Sequence, residues 1–446
     1  MRLLFAIVCL FVCVDAYKIL VYSPRFGHSH SNFMGRIADT LVAAGHNVTT
    51  LIPTATDTIA DGTTESTIIH VDLDDETSAM FNAILNSLGG DFDPFQESNF
   101  SPIGAIMQGR IFGEMFARMC RAVINKPARL LAVISFAFPR GETEAVLRER
   151  FGYDQPSIAS IASHAAVVFT NGEPLLNVAA PTLHKVVDIA GLGAKAAKPL
   201  EKKWLDILTL RSRTVLISFG SIAKSSKLKK EAKRAILGTV AHFPDVTFIW
   251  KYETTEDDFA TQEASKLSNL ILAKWMPQND LLNHIRIAAF VTHGGMGSVQ
   301  ETARRGVPAI LVPLFGDQQR NALMLKERGI GKILDKQHIA NSVKIIDALD
   351  EILRDSSYSA RARDMARKLA SKPFSAQELL VKHVEFAAQF GPSDALRPAS
   401  IDMSIVELYN LDLLLLAIII FSAVSFLAFR LVQFSFRRIL LKNKIE

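Results

Sequence analysis

The segment that decides the fold runs from Trp275 to Gln318 and reads WMPQNDLLNHIRIAAFVTHGGMGSVQETARRGVPAILVPLFGDQ. Within it, Ala288–Thr292 is a short apolar run typical of a strand, and His293-Gly294-Gly295 follows directly. The residues from Ser298 to Arg305 then have the composition of a helix. A strand, a glycine turn and a helix start form an anion site, because free backbone N–H groups and the helix dipole point at one spot.

A second strand is predicted at Leu311–Phe315, and it ends just before Asp317 and Gln318. In an open α/β sheet, ligands bind beyond the carboxyl ends of the strands. Glu301, one turn into the intervening helix, lies within reach of a ribose diol bound there. The pattern therefore predicts a nucleotide site at this edge of a sheet.

This segment resembles the donor-binding signature of the UDP-glycosyltransferases, specifically the membrane-bound UDP-glucuronosyltransferase branch. The resemblance implies an α/β fold of two Rossmann-like domains that face a cleft, the GT-B arrangement, followed by a C-terminal transmembrane helix. It also implies UDP-glucuronic acid or UDP-glucose as co-substrate, with no bound cofactor. The ordered set of motifs carries the resemblance, because HGG and DQ each occur by chance.

By resemblance, Trp275 stacks on uracil and Gln278 lies beside the base or the ribose. Glu301 binds the ribose hydroxyls, and Asp317 and Gln318 bind the hydroxyls of the sugar. The remaining donor-binding residues are Ser221, after an earlier strand, and His293, Gly295, Gly297 and Ser298 in the signature. Relatives often have Asn in place of this glycine at 297, so one polar contact to the donor is expected to be absent.

The first domain opens with a predicted strand at Tyr17–Tyr22, a helix at Phe33–Ala44 and a strand at Asn47–Ile52, a βαβ unit. The helix Ala376–Phe390 is expected to cross back and brace it. The predicted divisions are a signal peptide at 1–16, an acceptor-binding domain at 17–190, a linker at 191–202, a donor-binding domain at 203–390, a juxtamembrane segment at 391–410, a transmembrane helix at 411–429 and a basic cytosolic tail at 430–446.

The two ends of the chain predict a membrane protein of the secretory pathway. Met1–Ala16 has an Arg, an apolar run and a small final residue, which is typical of a signal peptide; the alternative is a first core strand. Leu413–Phe429 carries no charge, and basic residues follow it, which favours a span with a cytosolic tail over a buried helix. We therefore expect a single-pass type I protein of the endoplasmic reticulum with a lumenal body. The end of the tail, Lys442–Glu446, resembles a dilysine retrieval signal.

Two further features fit a lumenal body. Asn47 and Asn99 lie in glycosylation sequons, which predicts a glycoprotein. After removal of the signal peptide only Cys120 remains of the 3 cysteines, so no internal disulfide is expected. The net charge of +5 is modest and dispersed, which excludes a typical nucleic-acid-binding protein.

The predicted catalytic base is His30, which matches the family's catalytic histidine and is expected on a loop after the first strand; His28 is the alternative. The first domain is shorter than in relatives between Ile124 and Ser157, where the partner aspartate of that histidine normally lies. We find no match for it, which predicts weak or absent transfer with UDP binding retained. No metal site is expected, since the Asp-x-Asp pairs at 72–74 and 91–93 lie away from the donor signature.

The predicted reaction transfers glucuronic acid or glucose from its UDP carrier to a hydroxyl of a small lipophilic acceptor, with inversion. The alternative is a membrane-anchored protein that binds UDP-sugar or aglycone and modulates active relatives without turnover. Homo- or hetero-oligomers with such relatives would suit either function.

Overall fold

The computed structural model describes residues 16–89 apart from 26 and 55–58, the single positions 118, 145, 146, 148, 149 and 152, and residues 158–442 apart from 194 and 195. Most of the predicted signal peptide, the sequon at Asn99 and the Asp91–Asp93 pair lie outside these residues. So does most of the segment between Ile124 and Ser157, where the resemblance implies the partner aspartate.

The first domain contains short parallel strands and the helices between them. Its described elements are β1 (Lys18–Tyr22), α1 (His28–Ala43), β2 (Asn47–Thr54), β3 (Thr67–Asp72), α2 (Asp75–Gly89), α3 (Ile158–Ser163), β4 (Val168–Thr170) and β5 (Val186–Asp188). Strands β1, β2 and β3 form one parallel sheet in that order, and β4 pairs with β5, also in parallel. The predicted βαβ opening is thus confirmed.

Helix α1 begins five residues before the predicted start at Phe33, at His28. The sequence pattern located the helix by its apolar residues, but the first turn, His28–Ser31, is polar and needs no apolar face. Gly27 precedes it in extended conformation at the N-cap. His30 therefore lies in the first turn of a helix, and the prediction that it lies on a loop was wrong.

The second domain is a single parallel sheet flanked by helices. Its elements are α4 (Lys202–Thr209), β6 (Arg213–Ser218), α5 (Lys230–His242), β7 (Val246–Lys251), β8 (Leu270–Ala273), α6 (Gln278–Leu282), β9 (Ile287–Thr292), α7 (Met296–Arg305), β10 (Ala309–Leu311), α8 (Gln318–Glu327), β11 (Gly331–Ile333), α9 (Ser342–Arg354), α10 (Ser356–Ala370) and α11 (Ala376–Phe390). Apolar side chains on both faces of the sheet are fully buried, among them Phe248, Trp250 and Phe290, as expected for strands covered by helices on both sides.

The strands of this sheet lie in the order β11-β10-β9-β6-β7-β8. Counted from the first strand of the domain this is 6-5-4-1-2-3, the doubly wound Rossmann order. The order reverses between β6 and β9, so a crevice opens where these two strands end. Strand β10 stops at Leu311, short of the predicted Phe315; Val312 still donates its N–H to Thr292 O (2.8 Å), but Pro313 has no N–H with which to continue the ladder.

The two domains share contacts at the back of the molecule. Helix α11 buries Ala376 and Leu380 in the core of the first domain, together with Val21 of β1 and Ile189 after β5. The prediction that this helix crosses back to brace the first domain is therefore confirmed.

After α11 the chain passes through a short helix, α12 (Ile405–Leu408), into the long helix α13 (Leu411–Lys442). The part Leu411–Phe434 is long and apolar enough to cross a membrane, and none of it is buried against the rest of the described chain. The apolar helix extends beyond the predicted end at 429.

Candidate active site

The polar residues of the signature meet at the crevice between the carboxyl ends of β6 and β9. Helix α6 begins at Gln278. The side-chain Nε2 of Gln278 donates to Glu301 Oε2 (2.6 Å) and to Ser298 Oγ (3.2 Å), both on α7. Burial raises the pKa of Glu301 above its ordinary value, and the hydrogen bond from Gln278 opposes this rise. A half-buried carboxylate that accepts from a neutral amide retains acceptor capacity for a ligand diol.

Trp275 stands beside this group, with its side chain 73% exposed. The ammonium of Lys251 lies 5.5 Å from the centroid of its ring, a cation–π distance. Because the neighbouring Met276 is buried, the backbone is held while the indole is presented to solvent. Trp275 is therefore not a core aromatic, and its ring is accessible to a ligand.

The sequence analysis missed Lys251. It is the last residue of β7 and is buried; its Nζ donates to Gly220 O (2.6 Å) and lies 3.5 Å from Glu253 Oε1. The strand is apolar except for Thr247 and ends in a lysine. A lone cation at the carboxyl end of a buried strand was the signal that could have found it.

His293 lies between two glycines, one on each side of the crevice. A Cβ at Gly220 would lie 2.7 Å from its Cε1, and a Cβ at Gly295 would lie 2.6 Å from its Nε2. Only glycine therefore leaves room for the imidazole. Burial lowers the pKa of His293 to about 4, against the attraction of Asp317. At neutral pH this histidine is uncharged and can offer hydrogen bonds but no positive charge.

Asp317 and Gln318 follow the end of β10 but point in different directions. Asp317 is exposed at the start of α8, and its Oδ2 accepts from Asn321 Nδ2 (2.8 Å). Asn321 also donates to Gly294 O (3.1 Å), so it ties this loop to the glycine turn. The side chain of Gln318 is buried, and its Oε1 accepts the N–H groups of Leu314 (2.8 Å) and Phe315 (3.1 Å). Its oxygen thus supports the loop.

Two smaller donor-site residues are placed by the same loops. Ser221 is exposed after β6, next to Gly220. Gly297 is exposed in the first turn of α7, and a Cβ there would meet nothing within 4 Å. The space beside this glycine is therefore open.

His30 comes from the first domain, yet the charge that acts on it belongs to the second. Burial of the imidazole lowers its pKa below 6.5, and the negative charge of Asp317 raises it in opposition. Asp317 also raises the pKa of His293 against the effect of burial, so one carboxylate acts on both histidines. The hydroxyl of Ser29 lies 3.3 Å from His30 Nδ1. The predicted base therefore lies within electrostatic range of a carboxylate of the second domain.

Of the Asp-x-Asp pair at 72–74, one residue, Asp74, has a structural role. Asp74 caps α2, since it accepts from Thr77 N (2.8 Å) and Thr77 Oγ1 (2.9 Å). Within the described part of the chain, no group of three or more His, Cys, Asp or Glu residues could hold a metal ion.

A model of the family described as "UDP-glucoronosyl and UDP-glucosyl transferase" matches residues 153–445. The chain belongs to this family. Among its relatives, "Putative UDP-glucuronosyltransferase ugt-47" of Caenorhabditis briggsae is 28% identical over 90% of both chains. Human "UDP-glucuronosyltransferase 1A3" is 28% identical over 69% of this chain and 56% of its own. The chain is thus a UDP-glycosyltransferase of the UDP-glucuronosyltransferase branch.

Solved structures agree on the fold. The calicheamicin glycosyltransferase CalG4 superposes with a TM-score of 0.56 at 17% identity, over 85% of this chain and 100% of its own. The glycosyltransferase SnogD from Streptomyces nogalater superposes with a TM-score of 0.54 at 17% identity, over 84% and 100%. At such low identity the likeness concerns the fold alone: this family member has the GT-B arrangement of two facing α/β domains.

Proposed function

We propose that this UDP-glycosyltransferase moves glucuronic acid or glucose from its UDP carrier to a hydroxyl of a small lipophilic acceptor, with His30 as the base. The observation that carries the proposal is the convergence of both domains on one cleft. The second domain supplies the connected group of Gln278, Ser298 and Glu301. The first domain supplies the imidazole of His30, whose pKa the negative charge of Asp317 raises.

The donor would lie across the switch point of the second domain. Uracil stacks on the exposed face of Trp275, and the ribose diol donates to Glu301, whose carboxylate has acceptor capacity to spare. The diphosphate oxygens accept hydrogen bonds from the backbone N–H groups at the start of α7, close to the buried ammonium of Lys251. The sugar then extends toward Asp317 and thus toward the acceptor domain.

The chemistry follows from the state of the two histidines. With its pKa below 6.5, His30 is a neutral imidazole at pH 7 and can accept the proton of the acceptor hydroxyl. The acceptor oxygen forms a bond to the anomeric carbon while the bond from that carbon to the β-phosphate oxygen breaks. UDP leaves with the electron pair, and attack opposite the leaving group inverts the configuration. No step requires a metal ion or a cofactor.

We further propose that the protein is anchored in the endoplasmic reticulum membrane by Leu411–Phe434, with its body in the lumen. The support is the apolar helix and the basic residues that follow it in the sequence. A lipophilic acceptor that partitions into this membrane would reach the cleft from the bilayer.

The test is the formation of a sugar conjugate by the full chain in detergent or nanodiscs, with UDP-glucuronic acid and UDP-glucose offered separately to a panel of phenols. Glu301→Ala should abolish the use of either donor. Gln337 is exposed and lies outside the donor site. The substitution Gln337→Ala is the control and should leave the use of both donors unchanged. Donor use that survives Glu301→Ala would place the nucleotide elsewhere and refute the proposal.

A further inference from the structure

Helix α7 has a second polar face besides the one directed at the donor. Ser298 and Glu301 contact Gln278. Gln300 and Arg304, which lie one turn apart and so share a different face, contact the first domain instead. The helix that begins at the donor site is therefore also in direct contact with the acceptor domain.

The contact at Gln300 uses both ends of its amide. Its Nε2 donates to Asn171 Oδ1 (2.8 Å), and its Oε1 accepts from the backbone N–H of Gly191 (2.9 Å). Asn171 directly follows β4, and Gly191 comes three residues after β5. A single neutral side chain thus holds the carboxyl ends of two paired strands.

These strands belong to the core that positions His30. Phe169 of β4 and Val187 of β5 pack in one cluster with Val21 of β1 and Leu41 of α1, and His30 is in the first turn of α1. A short rigid path therefore runs from the predicted base through a packed core to Gln300. The next residue along the chain is Glu301, in the donor site.

Charged side chains lie around this contact, and one of them, Glu173, is buried. Arg304 Nη2 donates to Ala190 O (3.0 Å), and the carboxylate of Glu173, 2% exposed, lies 3.8 Å from Arg304 and 3.1 Å from Lys372 Nζ. Gly191 has φ +89°, and a Cβ there would lie within 1.7 Å of the guanidinium of Arg304. Removing Arg304 would leave a buried carboxylate poorly paired and threaten folding. Gln300 is neutral, so it can be changed without that penalty.

We propose that Gln300 is a positioning residue that holds the acceptor domain in register with the donor helix and so sets the distance between His30 and the bound sugar. Its effect on the reaction rests on the proposed function. The register itself does not, and can be measured in a protein that performs no turnover.

The register is measured as a distance distribution by pulsed electron spin resonance on the full chain in nanodiscs. Spin labels are attached at Ala43→Cys, at the exposed end of α1, and at Lys344→Cys, exposed on α9, with the native cysteines replaced by serine. Gln300→Ala should broaden the distribution, while UDP affinity stays within about twofold. Asn171→Ala should broaden it less, because the Gly191 contact remains, and adding it to Gln300→Ala should add little.

The variant Gln300→Glu distinguishes a positioning role of Gln300 from general damage to the fold. In Gln300→Glu the carboxylate still accepts from Gly191 N, and Asn171 can turn its amide to donate to the other oxygen; the narrow distribution should return. Gln337→Ala is the surface control. In turnover, Gln300→Ala should lower kcat by about tenfold or more with KM for the UDP-sugar within about twofold, since small misplacements cost that much.

An unchanged distribution in Gln300→Ala would overturn the proposal, as would a broadened one with unchanged kcat, or loss of UDP binding along with the register. Failure of the unmodified chain to bind UDP would instead refute the proposed function. The distance measurement would stand in that case, so the two failures are distinguishable.

Discussion

Replacement of Trp275 by alanine tests the donor site most cleanly, because the indole is an exposed platform. With 73% of the residue accessible, its removal costs little core packing, so the fold should survive. Lys251 loses its contact with the ring but keeps Gly220 O and Glu253 as partners. Any change in ligand affinity then reports on the ligand itself.

The magnitude follows from stacking energetics. Stacking of one base on an aromatic side chain contributes about 1–3 kcal/mol, and each 1.4 kcal/mol is about tenfold in affinity. Trp275→Ala should therefore weaken UDP binding by about 5- to 150-fold. Trp275→Phe keeps a smaller ring and should lose only part of that.

The assay is isothermal titration of the full chain with UDP and, separately, with inorganic diphosphate. Diphosphate has no base to stack, so its affinity should be the same in Trp275→Ala and the unmodified protein. UDP affinity that is unchanged in Trp275→Ala would show that uracil lies elsewhere. An equal loss for UDP and for diphosphate would show that the variant damages the site and would refute the stacking role.

Four other outcomes are expected. His30→Ala should lower the transfer rate by about 10²–10⁴ with UDP affinity unchanged, while the control His28→Ala should retain the rate; the reverse pattern would make His28 the base. The transfer rate should fall as the pH drops through the pKa of His30, which lies below 6.5. Because Asp317 raises this pKa, Asp317→Asn should move the fall in rate to lower pH. A shift of the fall to higher pH would contradict the predicted effect of Asp317 on His30. Glu301→Gln should raise the melting temperature at pH 7, because the raised pKa means that the ionised carboxylate opposes folding. That gain should vanish below about pH 4, where the carboxyl is protonated in both states; a gain that persists there would rule out the buried charge as its cause. In sealed microsomes the part of the chain before residue 411 should resist protease until detergent is added. Digestion of that part without detergent would contradict its proposed location in the lumen.

What the sequence predicted correctly is what neighbouring residues determine. The strand, glycine turn and helix around His293 are local, and each needs only its own residues to form. The positions of Trp275 and Glu301 beyond strand ends follow from the rule for open sheets. The start of α1 was predicted at Phe33 instead of His28 because the first turn, His28–Ser31, has no apolar residue to mark it.

What the sequence did not predict depends on partners that are distant along the chain. Gln300 was overlooked because Asn171 lies 129 positions away. The inward turn of Gln318 depends on two backbone N–H groups left free by the loop after β10. Lys251 is buried only because Gly220 O and Glu253 receive it, and neither contact is visible in a strand read alone.

The central claim is that one cleft joins a UDP-sugar in the second domain to a base in the first. The most direct test is conjugate formation from a UDP-sugar and a phenol by the unmodified chain, by His30→Ala and by Glu301→Ala, with UDP binding measured on the same samples. We expect conjugate from the unmodified chain at less than about 1 s⁻¹, given the missing partner aspartate that the sequence predicts. We expect about 10²–10⁴-fold less conjugate from His30→Ala, none from Glu301→Ala, and loss of UDP binding in Glu301→Ala alone. Equal conjugate formation by all three proteins, or no UDP binding by any, would contradict it.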